Sequence, residues 1–74
     1  MSKLPQVSGR RCVRALAKVG FYFVRQKGSH ITLRRDTPFA QVVVPESKEL
    51  PPGTLRRIIR DAGLTVEQFV NLLD

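Results

Sequence analysis

After Ser8, whose short hydroxyl suits a helix N-cap, the apolar residues Val13, Leu16 and Ala17 recur at helical spacing until Gly20, a natural helix stop. That spacing predicts a helix over residues 9–19. The period then changes from helical to alternating. Phe21 to Gln26 and Ser29 to Arg35 are rich in aromatic and β-branched residues, and Lys27-Gly28 between them suits a tight turn, so the two segments predict a hairpin. In the second strand Ile31 and Leu33 alternate with His30, Thr32 and Arg34, which sends the apolar pair to the core and the polar trio outward. Asp36-Thr37-Pro38 signals a turn, and Ala40 to Val44 predicts a third strand closed by Pro45. The proline-rich stretch from Pro45 to Pro52 reads as an ordered, irregular connection. Leu55, Ile58, Ile59 and Ala62 mark a second helix ending at Gly63, with Arg56, Arg57 and Arg60 on its polar side. Thr65 and Gln68 stand at capping-box spacing before a last helix whose Val66, Phe69, Leu72 and Leu73 share a face. The expected fold class is α+β: a helix, a three-stranded antiparallel sheet, then one or two helices covering one sheet face.

Seventy-four residues form one domain, 1–74, because a chain this short buries only about 60% of the surface its unfolded form exposes. A core of that size leaves no deep cavity for a bulky cofactor, so no cofactor is expected and any chemistry belongs on a shallow surface, where a polymer substrate fits. The 42% apolar and 26% charged composition is that of a folded chain. Cys12 is the only cysteine, which excludes an intramolecular disulfide, fits a reducing cytoplasm, and reads as a buried helix residue beside Val13 and Leu16. No apolar run approaches the roughly 20 residues that span a bilayer, and the N-terminus lacks the apolar core of a signal peptide, so a cytoplasmic location and no membrane partner are expected.

Charge sharpens this outline because it is lopsided. Residues 1–35 carry nine bases and no acid, while residues 36–74 carry four bases and six acids, so the net +7 divides into +9 and −2. Such a one-signed field favours a polyanion, through release of its counterions. On the first helix Arg11, Arg14 and Lys18 fall at i, i+3 and i+7 with Arg10 beside them, and no glutamate stands nearby to relieve their repulsion. These four residues are candidate nucleic-acid contacts.

The segments Arg25-Gln26-Lys27-Gly28-Ser29-His30, Lys48-Glu49-Leu50-Pro51-Pro52-Gly53-Thr54-Leu55-Arg56 and Asp61-Ala62-Gly63-Leu64-Thr65 together resemble the HicA, or YcfA-like, mRNA interferases over nearly the whole chain. Pro51-Pro52 departs from the family's more usual lysine before a single proline. The resemblance implies a double-stranded-RNA-binding-domain-like fold, toxin activity as an endoribonuclease on mRNA, and a cognate HicB-type antitoxin as partner. It also implies that the histidine after Gly-Ser, here His30, is the catalytic residue.

The residues themselves are compatible with that chemistry. One histidine and scattered acids offer no recognisable metal-ligand set, so metal-independent catalysis is expected. RNA carries its own nucleophile in the 2′-hydroxyl, and an imidazole is the side chain suited to accept its proton at cellular pH. Arg25, Lys27 and Arg34 lie near His30 in sequence and are candidates to offset charge on the phosphate, while Ser29 either orients a phosphate or simply begins the strand. Tyr22 and Phe23 read as structural. A non-catalytic RNA-binding module of the same fold remains the alternative, and a DNA-binding regulator fits less well because three strands separate the helices.

Overall fold

Six elements follow the expected order in the computed structural model, which describes residues 3–73: α1 (Gly9–Ala17), β1 (Tyr22–Lys27), β2 (His30–Arg35), β3 (Ala40–Pro45), α2 (Pro52–Asp61) and α3 (Val66–Leu72). Both capped helix starts are where the sequence puts them. The Ser8 hydroxyl accepts from the Arg11 amide at 3.1 Å, and Thr65 and Gln68 exchange reciprocal bonds of 3.1 and 2.8 Å. α2 begins earlier than its apolar spacing implies. Pro52 opens it without a side-chain cap, because proline at the first helical position has no N–H to satisfy and a φ already suited to the helix. α1 stops short of residue 19, with Lys18 as its C-cap and Gly20 (φ 97°) closing the turn that follows.

The strands form an antiparallel sheet in the order β1-β2-β3, with β2 central. The three helices share one face of it. Cys12, Ala15 and Leu16 of α1, Leu55, Ile58 and Ile59 of α2, and Phe69 of α3 meet Ile31, Leu33, Val42 and Val44 in a single core. Leu50, in the irregular connection, is buried as well, and its amide donates to the Val7 carbonyl at 2.8 Å. α1 approaches the end of β3 so closely that a Cβ at Gly9 would stand 2.0 Å from the Pro45 carbonyl oxygen, and the Gly9 amide donates to Ser47 at 2.9 Å. Only glycine permits that approach. Arg35 locks the opposite end: its guanidinium lies 4.7 Å from the Phe21 ring centroid and donates to the carbonyls of Pro38 and Ala62. No helix of the described residues is long and apolar enough to cross a membrane.

Cys12 is the buried helix residue the sequence implies. Desolvation pushes its thiol from the ordinary 9.0 up to about 12, which disfavours the reactive thiolate. Native protein at pH 8 is therefore expected to resist a thiol reagent such as 5,5′-dithiobis(2-nitrobenzoate), and denatured protein to titrate one thiol; rapid labelling of the native state would contradict this burial. Because the unfolded thiol ionises first, stability should decline as pH rises above about 9.

Two readings of the sheet need correction. Thr32 does lie on the face away from the helices, yet it is only 6% exposed, because a short side chain on the central strand is overshadowed by Arg25 and Val43 on either side. Tyr22 and Phe23, read from sequence as structural, are 44% and 61% exposed. The helices pack mainly against β3, leaving β1 as an uncovered edge.

Candidate functional site

The hairpin turn that presents His30 is built from two residues, Gly28-Ser29, rather than from Lys27-Gly28. Gly28 takes φ 59° at the first turn position, a backbone region that a side chain would strain. Lys27 is thereby the last residue of β1 and the direct cross-strand partner of His30, whose other neighbour is Pro45. His30 is exposed, as its place in the alternation implies.

The open face of the sheet, turned away from the helices, can be read in three rows from the pairing register. Lys27, His30 and Pro45 form the first, Arg25, Thr32 and Val43 the second, and Tyr22, Arg34 and Gln41 the third. A bulge at Val24 is what brings Tyr22 into this set. It shifts the β1 register between Phe23 and Arg25, so both Arg25 and Tyr22 face outward although three positions separate them. Among the described residues, neither Lys27 nor Arg25 has a carboxylate or hydrogen-bond partner. The His30 end of the face is thus cationic and unneutralised. The far end is polar and tied down. Arg34 donates twice to Gln41 Oε1, at 3.1 and 2.9 Å, and the Tyr22 hydroxyl donates to Asp36 Oδ1 at 2.6 Å. That hydrogen bond, helped by the Asp36 charge, raises the Tyr22 phenol above its usual 10.0 and keeps it a donor.

Of the expected cationic contacts, Arg25, Lys27 and Arg34 share a face with His30, and Ser29 sits in the turn before it, where its carbonyl accepts from the Glu46 amide at 2.6 Å. The α1 cations do not join them. They stand on α1, which packs on the helix side of the sheet, whereas His30 points away from the helices. Lys18 Nζ donates to the Leu72 carbonyl at 2.7 Å, and Arg10 is ion-paired with Glu46. Arg14 and Arg10 line a shallow groove with Val13 and Ile31, and Arg11 is partly buried.

Glu46 is a residue that the sequence reading passed over. Its carboxylate receives the Arg10 guanidinium and, at 3.0 Å, the Gln26 amide, which also donates to the Gly28 carbonyl at 3.0 Å. Together with its own amide bond to Ser29, this ties the His30 turn to the start of α1. In sequence Glu46 is one acid within a mixed proline-rich stretch, and nothing local marks it. Arg57 was placed only on a polar helix side; it lines a groove with Gln41, Val43 and Asp61 at the β3 border of the open face. Among the described residues no three histidine, cysteine or carboxylate side chains gather as metal ligands.

A protein-family profile described as HicA toxin of bacterial toxin-antitoxin matches residues 9–64, from the first residue of α1 to the turn after α2. Comparison with curated proteins gives no match. The matched segment holds all three strands, the His30 turn and, up to Leu64, the three segments on which the sequence resemblance rests. The chain belongs to the HicA family: it is a toxin of a bacterial toxin–antitoxin system, with a cognate antitoxin as its partner.

Proposed function

We propose that this toxin is a metal-independent endoribonuclease of mRNA in which His30 is the general base. The observation that carries the reading is the juxtaposition on one open sheet face of an exposed imidazole with two cations, Lys27 and Arg25, that lack an acid partner among the described residues. An RNA strand lying along the face would bring a phosphate over Lys27 and Arg25 and a 2′-hydroxyl to His30. The imidazole takes the hydroxyl proton, and the 2′-oxygen attacks phosphorus. The bond to the 5′-oxygen then breaks, leaving a 2′,3′-cyclic phosphate and, after proton transfer from water or the Lys27 ammonium, a free 5′-hydroxyl. The guanidinium and ammonium groups offset charge on the phosphorane oxygens. Arg10, Arg11, Arg14 and Lys18, carried on α1 and its C-cap rather than on the open sheet face, contribute to the long-range field that draws in the polyanion. The type II, HicB-type antitoxin acts by covering the His30 face with acidic groups, which speeds encounter as well as blocking substrate.

Purified protein incubated with single-stranded RNA tests the mechanism through its products. Cyclic-phosphate ends, cleavage that persists in excess EDTA, and no cleavage where the scissile nucleotide carries a 2′-methoxy group are the expected results. Loss of cleavage on chelation, or cleavage of the 2′-methoxy substrate, would remove the 2′-hydroxyl mechanism.

A further inference from the structure

We infer that Tyr22 is a base-stacking subsite, which holds one unpaired base of a single-stranded RNA at the end of the open sheet face remote from His30. The inference rests on the RNA reading above and assigns a ligand to a part of the surface that the reaction does not use. Tyr22 is a large aromatic side chain, 44% exposed on the same face as His30 because the bulge at Val24 rephases β1. Its hydroxyl is anchored on Asp36 at 2.6 Å, which restrains the ring before any ligand arrives. A restrained ring loses little conformational freedom when a base stacks on it. Its cross-strand neighbour Arg34 is similarly held by two bonds to Gln41, so a planar guanidinium stands beside the ring. Aromatic and arginine planes are the groups on which single-stranded nucleic acids stack.

Electrostatics divides the face in the same sense. At the His30 end, Lys27 and Arg25 lack acid partners among the described residues and suit phosphates. At the Tyr22 end, the Asp36 carboxylate disfavours a phosphate but not a neutral base. Between His30 and Arg34 the strand advances four residues, about 13 Å, so the stacked base lies more than one nucleotide from the scissile phosphate. Any base has a π-face to offer, so the subsite requires an unpaired base rather than a particular one.

The chain provides its own probe, since Tyr22 is its single tyrosine and it has no tryptophan. Full-length His30→Ala protein, used so that the RNA stays intact, is titrated with a short single-stranded RNA while tyrosine fluorescence is followed. Binding is expected to quench the emission, and a fully paired duplex of the same sequence is expected not to. Tyr22→Phe, which keeps the ring and gives up the Asp36 bond, should bind within a few-fold of the parent by anisotropy of a labelled RNA, whereas Tyr22→Ala should bind on the order of 10-fold more weakly. Matched melting temperatures show that both variants are folded. RNA that binds without quenching, or a Tyr22→Phe variant as weak as Tyr22→Ala, overturns the subsite and leaves the RNA reading in place. Failure of the protein to bind RNA at all overturns both.

Discussion

Replacement of His30 by alanine is expected to lower RNA cleavage by about 100- to 10,000-fold, the usual contribution of a positioned general base, and to remove toxicity with it. The exposed imidazole contributes nothing to the core, so its removal should leave stability within about 0.5 kcal/mol of the parent. Lys27 and Arg25 remain, and RNA affinity should survive. The combination is what identifies chemistry: turnover lost, melting temperature and affinity retained. Were His30→Ala to cleave as fast as the parent, the histidine mechanism would be wrong, and the choice would fall between a different nuclease chemistry and an RNA-binding module that needs no catalysis.

Phe69→Ala is expected to act in the opposite way, through the fold. Phe69 is fully buried, at 0% exposure, and stands on α3, outside the segment 9–64 that matches the family profile. Truncating a buried phenylalanine typically costs about 3–5 kcal/mol, against a total stability of roughly 5–15 kcal/mol for a whole domain. A domain this small has little in reserve. The urea midpoint should therefore fall steeply, or the protein should be unfolded at 37 °C, while the exposed Glu67→Ala on the same helix stays close to the parent. A loss below about 1 kcal/mol at Phe69 would mean that α3 is an appendage and that the core closes without it.

Much of this architecture was legible because its signals are local. Helical spacing, the Ser8 cap and the Thr65-Gln68 pair each act within a few residues, and the structure keeps all three. Alternation along β2 similarly put Ile31 and Leu33 in the core and His30 at the surface. The failures are equally specific. Pro52 was read as part of a connection, although in the first turn of a helix it is accommodated without loss. Thr32 was placed on the correct face but with the wrong exposure, since alternation describes direction and says nothing about Arg25 and Val43 on the flanking strands.

For the site, the sequence by itself determined the chemistry available: one imidazole preceded by Gly-Ser, no clustered metal ligands, and a basic N-terminal half. The tertiary structure decided how those groups are distributed. Local periodicity gave the α1 cations and the hairpin cations as two separate sets, and their relative placement was settled by the sheet's two faces: α1 packs on one, and His30, Lys27 and Arg25 stand on the other. A single extra residue at Val24 reversed the phase of β1 and exchanged Phe23 for Tyr22 on the open face. Arg10 acquired Glu46, and Lys18 the Leu72 carbonyl, from segments far along the chain. Period and capping are enforced by bonds between near neighbours, so one sequence carries them. Which side of a sheet a helix covers, and which acid meets which base, depends on closing long loops around a shared core, and only the folded chain brings those residues together.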